Sequence, residues 1–186
     1  ISLGTSGVYF VVANQFSSFP EKAVHSFCHA LPDRWHLMSV MLSAASCLDW
    51  FAKSVVGKDV PAVLSLLENE DGPSENAPFF LPYLSGERTP HNDPNASGAF
   101  VGLTHQHSTK DMAYAVLEGV CFAMADGVDA VHASGTIAND ICLIGETGAS
   151  HAPLFGKNIK KGYADVAKFT IKFCMKHNMK LICAQK

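Results

Sequence analysis

Near the start of the chain, Gly4-Thr5-Ser6-Gly7 has the composition of an anion-binding turn. A phosphate needs donors at close range with no Cβ in the way. Glycines let backbone N–H groups approach, and Thr5 and Ser6 add hydroxyls. The same four residues also suit a plain hairpin turn, the commoner use of such a pattern. Gly145-Glu-Thr-Gly-Ala149 follows an apolar run and can admit a nucleotide base or phosphate. Its spacing is neither a Walker A loop nor a dinucleotide fingerprint, and a bare strand-to-helix loop fits it as well. Tyr83-Leu-Ser-Gly-Glu-Arg-Thr-Pro90 sets Glu87 beside Arg88 in a loop fixed by Gly86 and Pro90. Arg88 can meet a phosphate. The preferred expectation is an ion pair between Glu87 and Arg88 that staples the loop.

Other chemistries are less well supplied. Nine histidines include the cluster His25, Cys28, His29 and the pair His105, His107. Neither has a second cluster at zinc-ligand spacing, so no metal site is expected. No G-x-S-x-G is present, and Ser6 lacks the strand–elbow–helix setting of a hydrolase nucleophile.

These residues need elements to hold them. Ile1–Leu3 reads as a strand entering Gly4, with Val8–Val12 as the strand returning from the turn. A third strand is predicted near Val24–Cys28. Met41, Ala45, Leu48 and Ala52 fall at helical spacing, which predicts a helix within Met38–Val55. A short helix is predicted over Val60–Leu67, with Pro61 in its first turn. Asn69–Pro78 reads as a surface loop, Ser85–Ser97 as an ordered loop, and Ala99–Leu103 as a short strand. The clearest element is a helix over Thr109–His132, capped by Ser108 or Thr109. Met112, Val116, Val120, Met124, Val128 and Val131 form its apolar stripe. Gly119, Ala123 and Gly127 form a row that admits a close neighbour. Asp140–Ile144 reads as a buried strand ending at Gly145. Alternating strands and helices predict an α/β domain.

The chain has 186 residues, enough for one domain. At 48% hydrophobic and 17% charged it can fill a core, and a net charge of −3 gives no reason to expect nucleic acid or an anionic membrane as partner. The six cysteines show no C-x-x-C, and Cys28 and Cys142 sit in apolar runs, which predicts buried free thiols in a reducing cytoplasm. No run approaches a membrane span and no signal peptide is recognised. A first residue already inside a strand predicts that more chain lies upstream of Ile1. From Lys157 onward eight lysines face one acid, Asp165, so residues 146–186 read as a distinct basic tail after a core of 1–145. That tail is predicted to hold a helix over Tyr163–His177 and a strand over Lys180–Ala184.

Taken together, Ile1–Gly7, Ala23-Val-His-Ser-Phe-Cys-His-Ala-Leu-Pro32, Arg34-Trp-His-Leu-Met38 and Phe80–His91 resemble the second domain of the FGGY family of carbohydrate kinases, in particular its xylulose-phosphorylating branch. Gly98-Ala-Phe-Val-Gly-Leu103, seven residues, then Asp111-Met-Ala-Tyr-Ala-Val-Leu-Glu118 is similar to the family's second signature. The resemblance covers about residues 1–145. It implies an actin-like, ribonuclease H-like ATPase fold, with Mg2+ and ATP bound against this domain. The reaction it implies is transfer of the γ-phosphoryl to the 5-hydroxyl of D-xylulose. It further implies that Gly4, Thr5 and Ser6 face the terminal phosphates. Ala45, Asp49, Gly145, Gly148 and Ala149 would then flank the nucleotide. No catalytic residue falls in this chain by that resemblance. The base, an Asp, is expected upstream of Ile1, as are the sugar contacts. Two departures stand out: Glu146 and Thr147 replace an expected glycine run, and the basic tail matches no family segment. The alternatives are a non-catalytic remnant or interaction module on the same scaffold, or a family member acting on glycerol or gluconate. Exposed apolar surface would also permit a homodimer.

Overall fold

The structure is a computed structural model that describes residues 1–67 and 76–138, together with the backbone of residues 140–145 and 180–183. Its centre is a six-stranded mixed sheet in the order β3-β4-β2-β1-β7-β8. The strands are β1 (Ser2–Leu3), β2 (Gly7–Ala13), β3 (His25–Cys28), β4 (Trp35–Met41), β7 (Asp140–Gly145) and β8 (Lys180–Cys183). β1, β2, β4 and β3 form an antiparallel half in which β4 lies between β2 and β3, and β7 and β8 extend the sheet in parallel from β1. A two-stranded ribbon, β5 (Phe79–Leu81) with β6 (Ala99–Val101), stands apart from the sheet.

Among the described residues three α-helices pack around the sheet. α1 (Ala45–Trp50) runs on into a π-helical turn over Phe51–Val56 and ends at Gly57, whose φ of 72° is open to glycine at no steric cost. α2 (Val60–Ser65) starts at Asp59, whose Oδ1 accepts the Ala62 N–H at 3.0 Å. α3 (Thr109–Ala133) opens on a capping box between Ser108 and Asp111. It packs on β2, β4 and β5. Its predicted stripe turns inward: Val116, Val120, Met124, Val128 and Val131 are all buried. The small-residue row works as expected. Gly119 lies against the Phe80 carbonyl, and Gly127 lies against Ser39. Among the described residues no helix is long and apolar enough to cross a membrane.

Three expectations change. Met38–Met41 belongs to β4 and not to a helix, which begins only at Ala45. Leu37, Ser39 and Met41 alternate inward against α3, and all seven residues of β4 pair with β2. Two-residue alternation and sheet pairing override the helical spacing that Met41 shared with Ala45. Cys28 is exposed on β3, whereas Cys47 is buried. Third, Glu87 makes no ion pair with Arg88. Lys53 with Asp49 is the ion pair found among the described residues. The predicted tail helix over 163–177 lies outside the described residues. The final strand is found at Lys180–Cys183.

Candidate functional site

The Gly4–Ser6 turn is where the sheet's two halves meet. β1 lies between β2 and β7, and Leu3 is opposite both Gly7 and Gly145. Gly7 is closely packed by two methionine side chains. A Cβ there would come within 2.7 Å of the Met124 Sδ and 2.8 Å of the Met41 Cγ.

The turn's acceptors are all used inside the protein. The Ser6 carbonyl accepts the Gly4 N–H at 3.0 Å. The Gly4 carbonyl accepts the Ala45 N–H at 3.0 Å, and the Thr5 carbonyl accepts the Ala44 N–H at 2.9 Å. The Ser46 Oγ also donates to Thr5 O, at 2.8 Å. The turn is thereby bolted to the start of α1. Its donors are left outward. Thr5 and Ser6 are exposed, and among the described residues neither their hydroxyls nor their N–H groups have a partner. A turn whose carbonyls are each engaged and whose amide and hydroxyl donors are exposed can present those donors to an anion.

The structure therefore brings together Gly4, Thr5, Ser6, Ala45 and Gly145. Asp49 lies one helical turn beyond Ala45 on α1, half-exposed, with its carboxylate 2.7 Å from the Lys53 Nζ. Gly148 and Ala149 lie outside the described residues. Arg88 is exposed at the far edge of the sheet, beside His25. No group of three or more His, Cys, Asp or Glu able to hold a metal occurs among the described residues. The donor set fits the phosphates of a nucleotide.

Behind α1 the site is apolar. Cys47 donates its thiol to the carbonyls of Ser43 and Pro82, at 3.3 and 3.6 Å. Burial, and then the nearby Glu87, push its pKa up to about 12. It is a packing residue and not a nucleophile. Sequence reasoning missed Glu87's true position. Its carboxyl is buried, held above the ordinary carboxylate range by desolvation, and opposed by hydrogen bonds from the Arg88 and Leu42 amides. Its partner at Leu42 is far away in sequence, so no local pattern could signal it.

Comparison with known proteins gives a consistent result. Residues 1–157 match the FGGY family of carbohydrate kinases, C-terminal domain. The xylulose kinase of Escherichia coli K12 is 62% identical over 145 residues, which make up 78% of this chain and 30% of that protein. A gluconokinase from Bacillus subtilis 168 is 31% identical over 133 residues, 66% of this chain and 26% of that protein. A solved structure from Brucella ovis, described as a xyloylose kinase, superimposes with a TM-score of 0.78 at 38% identity, covering 100% of this chain and 34% of its own. The chain thus spans about 30% of the length of the Escherichia coli and Klebsiella pneumoniae xylulose kinases that it matches.

Proposed function

The chain belongs to the FGGY family of carbohydrate kinases and has their actin-like ATPase fold, and from that premise we propose that it supplies the phosphate-facing turn of an ATP-dependent D-xylulose kinase. The observation that carries this reading is the Gly4–Ser6 turn, with every carbonyl engaged and its Thr5 and Ser6 donors directed outward. The choice of xylulose over gluconate rests on 62% identity to one kind of relative against 31% to the other.

In this reading the Thr5 and Ser6 donors hold the terminal phosphates of ATP and stabilise charge as the γ-phosphoryl is transferred. The three bonds from Ala44, Ala45 and Ser46 keep the turn from reorganising, so its donors are in place before transfer begins. Ala45, Asp49, Gly145, Gly148 and Ala149 flank the adenosine side. Mg2+ arriving with the nucleotide would neutralise phosphate charge. The base that takes the proton of the sugar hydroxyl, and the sugar contacts, come from the parent enzyme outside residues 1–186. On this reading residues 1–145 are the domain core and 146–186 a divergent segment, although β8 returns from it to the sheet and the family match runs to residue 157. The setting is cytoplasmic. The exposed apolar residues Phe79, Val101 and Leu103 support a homodimer.

Calorimetric titration of Mg-ADP into the 186-residue chain tests this. Saturable binding is expected, with Thr5→Val weakening it by ~0.5–1.5 kcal/mol, the usual worth of one hydrogen bond. No binding by a folded chain, or equal affinity for both proteins, refutes the role given to the turn.

A further inference from the structure

β4 is paired on its outer edge only as far as Met38, which faces His25. Beyond that point a loop segment takes the place of a strand. The Thr89 N–H donates to Val40 O at 3.0 Å, and the Thr89 Oγ1 accepts the Val40 N–H at 3.1 Å while donating to Ala23 O at 3.0 Å. Two residues further along β4's direction, the Leu42 N–H donates to the Glu87 Oε1 at 3.0 Å. The same oxygen accepts the Arg88 N–H at 2.7 Å, while Oε2 has no partner. Glu87 is 2% exposed. Its backbone is fixed by two hydrogen bonds with Asp93, of 2.8 and 2.9 Å.

Leu42 begins the link from β4 to α1. Two residues on, Ala44 at the end of that link donates to the Thr5 carbonyl, and Ala45, the first residue of α1, donates to the Gly4 carbonyl. The link is therefore gripped from two sides: Glu87 holds its start, and the turn is held by its end. We propose that Glu87 is a positioning residue that sets the Gly4–Ser6 turn through the 42–46 link. The consequence for nucleotide binding rests on the function proposed above. The positioning itself does not.

The chemistry required of Glu87 is an acceptor and not a charge. No cation pairs with it among the described residues, and the groups that face it are the Cys47 thiol, the Tyr83 hydroxyl and His91. Glutamine keeps the Oε1 acceptor. Alanine deletes it and leaves the Leu42 N–H without its partner.

The test pairs amide hydrogen exchange with Mg-ADP titration on wild type, Glu87→Gln and Glu87→Ala. Glu87→Ala is expected to speed exchange at Ala44 and Ala45 by about tenfold or more, with the α3 amides unchanged, and to weaken ADP binding by about tenfold. Glu87→Gln is expected to stay within about twofold of wild type in both readouts. Unchanged Ala44 and Ala45 exchange in a folded Glu87→Ala chain overturns the proposal. So does a glutamine variant as impaired as alanine, because a general packing defect would then be the cause. If wild type binds no ADP yet Glu87→Ala alone loses Ala44 and Ala45 protection, the positioning role stands and the nucleotide reading falls. Should Glu87→Ala not fold, Glu87→Asp makes the same comparison, because it is one methylene short of the Leu42 amide.

Discussion

Gly119 is the point where α3 and β5 come closest, and Gly119→Ala measures how much that approach matters. A Cβ at Gly119 would land on the Phe80 carbonyl oxygen, well inside contact distance, and 3.2 Å from the Phe80 Cδ1. The obstacle is backbone, so β5 itself must move. Phe80 is buried, and its ring lies 4.7 Å from Phe100 and 6.2 Å from Trp50, so a shift of β5 disturbs that aromatic cluster as well. Overpacking of this kind costs about 1–3 kcal/mol, and a backbone clash belongs at the upper end. Alanine recovers about 1 kcal/mol through its better helix propensity. The net loss is then about 2 kcal/mol, a fall in Tm of about 4–8 °C for a chain of this size. Gly127→Ala is the built-in control. Its Cβ would meet the Ser39 Oγ at 2.6 Å, a hydroxyl that can rotate away, and the Ser39 Cβ at 3.2 Å, a milder contact than the Phe80 carbonyl, so its loss should be smaller than that of Gly119→Ala. Thermal unfolding followed by circular dichroism reads both variants. A Gly119→Ala chain that melts at or above the wild-type temperature would show that β5 yields freely, and the argument for a close-packed seam would be wrong.

Two further outcomes follow from side chains. Ser108→Ala breaks the capping box of α3 by deleting the Ser108 Oγ, which accepts the Asp111 N–H at 3.4 Å and donates to the Asp111 Oδ2 at 2.7 Å. It should lower stability by about 1 kcal/mol in urea unfolding, and no change would mean that the cap is dispensable. His132 shares a 3.1 Å hydrogen bond with the Tyr9 hydroxyl, and burial holds its pKa below the ordinary 6.5 against the pull of Asp129. Its unfolded form therefore binds a proton that the folded form does not, and the stability it contributes is lost as pH falls through 6.5 and below. Glu87, Glu118 and Asp126 are raised by burial and act with the opposite sign, so the difference between wild type and His132→Asn isolates the histidine. The acid-side fall in Tm should shrink in His132→Asn, and an identical fall in both would sink the assignment.

The elements that could be read from the sequence are those whose signals are local and repeated. α3 carries six stripe residues and a cap within one stretch, so period and boundary agree. The β1–β2 hairpin was legible from its glycines and β-branched flanks. β4 was hidden because Met41 serves two periods at once: it closes the strand's inward series and also sits four residues before Ala45. Nothing between Leu42 and Ala44 marks the change, because neither Gly nor Pro stands there. At the site, the turn's residue types pointed to donors, but not to the fact that its carbonyls are taken up by Ala44, Ala45 and Ser46. Glu87 was misjudged for a related reason. Its neighbour in sequence is Arg88, yet its partner is the Leu42 amide, 45 positions away, and only the folded sheet edge brings them together.

The placement of β1 also has a consequence for how the chain is made. This two-residue strand joins the antiparallel half to the parallel half of the sheet, and it does so by pairing Ser2 with Ile144. About 140 residues separate the partners, a contact of very high order for a domain of this size. At about 5–20 residues per second on the ribosome, the free side of β1 must wait on the order of ten seconds or more for β7 to emerge. Through that interval the hairpin, β3 and β4 can assemble as the antiparallel half, but one edge of the growing sheet stays open beside the Gly4–Ser6 turn. The free side of β1 is thus an unpaired strand edge in the nascent chain, open to chaperones or to a second nascent copy, until residue 145 is out.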